Sequence, residues 1–193
     1  MTPLTFDAIR GRLLAAPPRR VVLSHFAEAA VAAILAPHPA SAGWQLLFIR
    51  RAEQPGDPWS GQMAFPGGRR DPADADLYAT AVRETGEEIG IALTLHQLLG
   101  ERDDVEPQTP RLPAIVIRPY VFGLGEVPVV TPSDEVAGCV WVPLTDLARL
   151  AVERDIVVRG EARRVRGYAV GDGLIWGLTE RILTPLLEIL RID

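Results

Sequence analysis

The chain has 193 residues, of which 48% are hydrophobic, 23% charged and 6% aromatic, and it carries a net charge of −5. That is the length of one domain with short additions, enough to bury a core without a metal or disulfide staple, and the acidic balance argues against a protein that binds a nucleic-acid backbone. All 20 basic residues are arginine, and neither lysine nor asparagine occurs, which excludes a Schiff-base lysine, a P-loop lysine and an Asn-linked glycan.

Residues 3–15 read as a short amphipathic helix ended by Pro17 and Pro18. Asp7, Arg10, Arg12, Arg19 and Arg20 break up this region, so no secretory leader is expected in it. Residues 29–36 and 44–50 are apolar runs joined by a loop containing proline and glycine, which predicts strand, loop, strand. Residues 52–61 form a Gly/Pro loop, and Phe65-Pro66-Gly67-Gly68 reads as a turn. A helix is predicted over 74–89, with Pro72 and Asp74 as start signals and Gly90 as its stop. Residues 95–99, 114–122 and 136–142 read as further strands, and 156–158 with 165–170 as a hairpin.

A last helix is expected over 174–190, with Ile175, Leu178, Ile182, Leu183, Leu186 and Leu190 on one side and a bend at Thr184-Pro185. No apolar stretch reaches 18 residues, so no membrane helix is expected. Strands interleaved with helices predict a layered α/β (α+β) domain. The expected division is a helical extension over 1–28 and one domain over 29–193 that includes the last helix. Either terminal helix is free to pack on the domain or on a second subunit, so a homodimer is one expectation.

The chemistry concentrates between Gly68 and Ile91. Glu84, Glu87 and Glu88 stand at i, i+3 and i+4, one turn apart on a shared helical face. Like charges so placed weaken a helix by a few tenths of a kcal/mol per pair, about 0.2–0.5. A divalent cation offsets that repulsion, and hard carboxylate oxygens suit Mg²⁺ or Mn²⁺. A solvated acidic face is the plainer alternative for the triplet alone. Arg83, beside the first glutamate, is placed to bridge an acid upstream.

These residues resemble the box of the Nudix hydrolase family: Gly, five residues, Glu, seven residues, then Arg-Glu-apolar-x-Glu-Glu-x-Gly-apolar. The second half reads Arg83-Glu84-Thr85-Gly86-Glu87-Glu88-Ile89-Gly90-Ile91, with Thr85 at the apolar position. The first half departs: Asp74 follows Gly68 in place of the glutamate and lies one residue further from Arg83 than the box allows. The partner of Arg83 is therefore Asp74, Asp76 or neither. The resemblance implies an α/β/α sandwich with a mixed sheet between helices. It also implies hydrolysis of a nucleoside diphosphate linked to another group. Metal ions would be held by Glu84, Glu88 and Glu87 with the backbone carbonyl of Gly67 or Gly68, and Arg83 would orient the glutamates.

Residues 46–51, 61–68 and 175–179 are similar to the coenzyme A pyrophosphatase branch of that family. This implies cleavage of coenzyme A or an acyl-CoA to 3′,5′-ADP and (acyl)phosphopantetheine. Another dinucleotide, ADP-ribose or a nucleotide sugar fits the same residues, and a non-catalytic nucleotide-binding module is a further alternative, disfavoured because all three glutamates are present. Arg50, Arg51, Arg69 and Arg70 are candidates for phosphate, and Trp59 for stacking on a base. Asp103, Asp104, Glu106, Asp134 and Glu135 are candidates for an extra acid, with Glu135 first. His25, His38 and His96 are too scattered for a zinc site. Cys139, the one cysteine, reads as a core residue, permits no internal disulfide and fits a cytoplasmic location. The expected partner is a small nucleotide, with no nucleic acid and no membrane.

Overall fold

The computed structural model describes residues 4–15, 17–21, 27–57, 59–107, 114–158 and 160–190; His25 lies outside them. Helix α1 (Phe6–Leu14) starts where the Thr5 hydroxyl accepts from Ala8 N at 3.2 Å. It is followed by strands β1 (Ala27–Pro37), β2 (Trp44–Arg51), β3 (Met63–Ala64) and β4 (Gly67–Arg69), then helix α2 (Leu77–Ile89). Strands β5 (Leu98–Glu101), β6 (Ile115–Gly123) and β7 (Val136–Pro143) come next, with a single turn, α3 (Leu144–Leu147). The chain continues through β8 (Ala151–Val158), β9 (Glu161–Val170) and β10 (Gly173–Trp176) into α4 (Leu178–Leu190).

The main sheet is mixed: β1 runs parallel to β6, and its other pairings are antiparallel. Strands β8 to β10 form a separate three-stranded antiparallel sheet. Strand alternation divides the core. Ala30, Ala32 and Ile34 of β1 and Leu47 and Ile49 of β2 pack with Leu77, Ala81 and Ile89 of α2 on one face. Ala33, Leu35, Leu46 and Phe48 pack on the other face with Ile9 and Leu13 of α1 and Ile182, Leu183 and Leu186 of α4. Helices therefore cover both faces of the sheet, the layering that the resemblance implies. Among the described residues no helix is long and apolar enough to cross a membrane.

Four local readings need correction. Gly67–Arg69 is a strand, not part of a turn, because β1 and β2 diverge and leave edges to be paired. Leu35 pairs Leu46, but further along Ile49 pairs Ala64 of β3, while Val31 pairs Gly67 of β4. The helix after it starts at Leu77, where Asp76 caps it by accepting from Ala79 N at 2.8 Å; Asp74 precedes the helix. Residues 95–97 are a 3₁₀ turn before β5. The last helix begins at Leu178, because Gly173–Trp176 pairs with β9 and Gly177 turns the chain; Ile175 is buried from a strand. Cys139 is half-buried on β7.

The β1–β4 pairing brings two backbones very close. A Cβ on Gly67, whose φ is +146°, would lie 2.2 Å from the Ala30 carbonyl oxygen. Neither the conformation nor the space admits a side chain. Gly67→Ala is expected to destabilise the fold by about 2–4 kcal/mol, combining left-handed strain with overpacking. Urea unfolding checks this, and an unchanged midpoint would refute the close approach.

Candidate active site

The site is built where β4 passes beneath α2. Asp74 is drawn in before the helix: its Oδ2 accepts from Asp71 N and from Thr80 Oγ1, both at 2.9 Å. Arg83, from the second turn, spends every N–H it has. Nε and Nη2 donate to the two oxygens of Asp74 at 3.0 and 2.9 Å, and Nη2 also donates to the Arg69 carbonyl at 3.0 Å. Nη1 donates to Glu84 Oε1 at 2.8 Å and to Glu87 Oε2 at 2.9 Å. Five donors thus meet five acceptors. The open question about the partner of Arg83 is answered by geometry: it is Asp74, while Asp76 is the helix cap.

The paired charges show in the titration of these groups. The Arg83 hydrogen bonds hold Asp74 well below the usual carboxylate range, against the effect of its burial. Those to Asp74, above all, hold Arg83 well above its ordinary value.

Glu84 and Glu88 face a cleft of about 490 Å³ that also takes in Gly67, Gly68 and Glu135. Glu88 is 3% exposed, and its Oε2 accepts from Gly67 N at 2.8 Å. Burial pushes its pKa up to about 7, with Glu84 and Glu135 adding to the rise and Gly67 and Arg51 opposing it. Burial also raises Glu84, helped by Glu87 and Glu135 and opposed by Arg83. Gly68 leaves room for the Glu84 carboxylate: a Cβ there would lie 2.4 Å from it and push that side chain aside. Glu87 is 61% exposed, does not line the cleft and is turned to Arg83. Glu135 is fixed by its strand entry, since Ala52 N donates to its carbonyl and Ser133 N to the carbonyl of Glu88, both at 2.8 Å.

The arginine candidates divide. Arg51 lines the cleft, gripped by Asp57 and 3.6 Å from Glu88 Oε1; Arg69 lines it too. Arg50, its neighbour in β2, is held by both oxygens of Asp172 outside the cleft. Arg70 also lies outside, bonded to Glu28 and to the carbonyls of Asp74 and Ala75. Trp59 lines the cleft, opposite in chemistry to an apolar wall that includes Val31, Ile117, Leu178 and Ile182. Of the other acids, Asp103 is bonded to Arg19, and Asp104 is buried between Arg20 and Arg118. Sequence reasoning missed Asp57, for which no motif gives a signal, and did not assign the α4 residues Leu178 and Ile182 to the cleft.

Among the described residues no three His, Cys, Asp or Glu side chains already converge at metal-binding spacing. The donor set nevertheless suits a divalent cation: hard carboxylate oxygens on Glu84, Glu88 and Glu135 border one cleft, and each ionised carboxylate there disfavours ionisation of its neighbours.

The NUDIX domain family matches residues 26–159. The chain is 35% identical over 133 residues to a Photorhabdus laumondii protein named uncharacterized Nudix hydrolase NudL, covering 67% of this chain and 68% of that protein. A Yersinia pestis protein of the same name is 32% identical over 147 residues, covering 74% and 71%. In fold, the chain is similar to a NUDIX hydrolase from Alicyclobacillus acidocaldarius, with TM-score 0.55, 21% identity and coverage of 86% of this chain and 93% of that one. The NUDIX domain of Shewanella oneidensis NrtR, complexed with ADP ribose, gives TM-score 0.53 at 18% identity, covering 66% and 79%. The chain belongs to the Nudix hydrolase family.

Asp74→Asn is expected to destabilise the protein by about 2 kcal/mol at pH 7, the usual worth of hydrogen bonds to a charged group. Asp74 is depressed in the folded state, so its stabilisation is complete above the unfolded carboxyl value and is lost progressively as pH falls from there toward the folded value. In denaturant titrations the gap between wild type and variant should begin to close below about pH 4 and keep closing down to about pH 2. A gap that stays constant or widens over that range would sink the assignment.

Proposed function

We propose that the chain is a divalent-metal-dependent pyrophosphohydrolase acting on a nucleoside diphosphate derivative, with coenzyme A or an acyl-CoA as substrate. The observation that carries the hydrolase reading is the lining of one cleft by Glu84, Glu88 and Glu135, together with Gly67, Gly68, Arg51 and Arg69. The coenzyme A reading draws its support from the likeness of residues 46–51, 61–68 and 175–179 to that branch.

Glu84 and Glu88 would hold Mg²⁺ or Mn²⁺, with the Gly68 carbonyl as a further donor, while Glu87, turned to Arg83 outside the cleft, would stand apart from the ion. The ion, when bound, supplies neutralising charge for the diphosphate and a more acidic water. The residues do the rest. Arg51 and Arg69 take phosphate oxygens by charge-assisted hydrogen bonds. Trp59 offers a face to the base, and the wall of Leu178 and Ile182 takes the apolar part of the substrate. A carboxylate of the cluster accepts the proton of the attacking water as its oxygen bonds to phosphorus and the bridging P–O bond breaks. Arg83 orients Glu84 and Glu87 from behind.

A substrate panel decides the matter: coenzyme A, ADP-ribose and diadenosine tetraphosphate with Mg²⁺ or Mn²⁺, products identified, run in ¹⁸O water. Release of 3′,5′-ADP from coenzyme A is expected; efficient cleavage of only the other compounds would reassign the substrate, and no turnover of any would favour a binding module. Glu88→Gln is expected to lower kcat by at least ~10²-fold while the circular dichroism spectrum is kept, and near-normal turnover would contradict its role. EDTA should abolish turnover and leave the protein folded, because the core is closed without a metal.

A further inference from the structure

Arg51 occupies an unusual position among the cleft residues. Its backbone is pinned, with N donating to the Gln62 carbonyl at 3.0 Å. Its side chain stands between two carboxylates. Nε and Nη2 donate to Asp57 Oδ2 at 3.2 and 3.0 Å, while Nη1 lies 3.6 Å from Glu88 Oε1. Asp57 is largely shielded, at 15% side-chain exposure, and its other oxygen accepts from Trp59 N at 3.0 Å. One carboxylate thus fixes both the cation and the start of the aromatic residue on the cleft's edge.

We propose that Asp57 is a positioning residue for substrate phosphate, acting through Arg51; this rests on the hydrolase reading above. A guanidinium left alone beside buried Glu88 would lay its two-nitrogen fork on that carboxylate and neutralise it. Asp57 takes that edge of the fork instead. Nη1 is left turned to the cleft, where it meets a phosphate oxygen without first being ordered. Asp57 touches no substrate atom in this arrangement. Its second bond, to Trp59, sets the aromatic ring and the cation in one frame.

The test is steady-state kinetics on whichever of coenzyme A, ADP-ribose and diadenosine tetraphosphate the wild type cleaves fastest. Asp57→Asn keeps an oxygen for Trp59 N but loses the charge on Arg51. It is expected to raise KM ~10-fold with kcat within ~3-fold, the mark of lost binding common to ground and transition states. Asp57→Glu should recover most of that loss. In an Arg51→Gln background, Asp57→Asn should add less than ~2-fold, because the two act as one unit. Arg51→Lys, which keeps the charge without the fork and keeps Asp57 with its bond from Trp59 N, should also raise KM ~10-fold; it serves if Asp57→Asn does not fold. An Asp57→Asn enzyme with unchanged KM, an equal effect in both backgrounds, or an Arg51→Lys enzyme like wild type would overturn the proposal while the hydrolase reading stands. A folded wild type that cleaves none of the three compounds would overturn both.

Discussion

Three carboxylates within one helical turn repel one another, and the arrangement of this protein's site follows from how that repulsion is managed. Arg83 answers part of it by giving Nη1 to Glu84 and Glu87 together. A guanidinium so engaged is itself held, because Asp74 takes its other edge and the Arg69 carbonyl its last proton. The helix is thereby tied to the loop before it by a planar five-donor group that a lysine, with a point charge on a flexible stem, would not reproduce. Glu88 receives no help from Arg83. It relies on Gly67 N–H and on Arg51, and because these do not offset its burial its pKa is pushed up to about 7.

The sheet supplies the other half of the constraint. Because β1 and β2 part, residues 63–69 enter the gap and lay a bare backbone under the glutamates. The two adjacent glycines serve differently. Gly67 lies against β1 in a conformation that side chains avoid, and Gly68 yields its Cβ space to the Glu84 carboxylate. A fold that wedges a strand into a fork therefore creates the surface on which charge can be brought to a main chain.

Much of this was legible in the residues. The Arg-Glu-x-x-Glu-Glu spacing with a following glycine fixed the helix, its end and the family. Apolar runs marked β1, β2, β6 and β7. What escaped has physical causes. A helix start depends on which of several aspartates caps it, and 74 and 76 are equal candidates until Thr80 and Arg83 claim the first. Leu174, Ile175 and Trp176 continue the apolar pattern of the last helix, so only pairing with β9 separates them from it. Arg50 and Arg51 are indistinguishable by type, yet neighbours on a strand point to opposite faces, and only Arg51 reaches the cleft. Glu87 likewise shares a face with Glu84 by spacing, but a helical step carries it to the rim, where it is mostly exposed.

The cleft's apolar wall joins the site to the stability of the whole. Leu178 and Ile182 line the cleft from the first turns of α4, while Leu183 and Leu186 of the same helix are buried in the core on that face of the sheet. Burying each such leucine fully is worth about 1.5–3 kcal/mol, so the helix is anchored by its core side whatever occupies the cleft. The wall is consequently set in advance of binding, as are Gly67, paired with β1, and Glu135, whose carbonyl accepts from Ala52 N. The groups with freedom to respond to a ligand are the carboxylates of Glu84 and Glu88, now turned to the protein's own donors. Recognition then amounts to an exchange of partners by two side chains inside a frame that the core and the sheet hold in place.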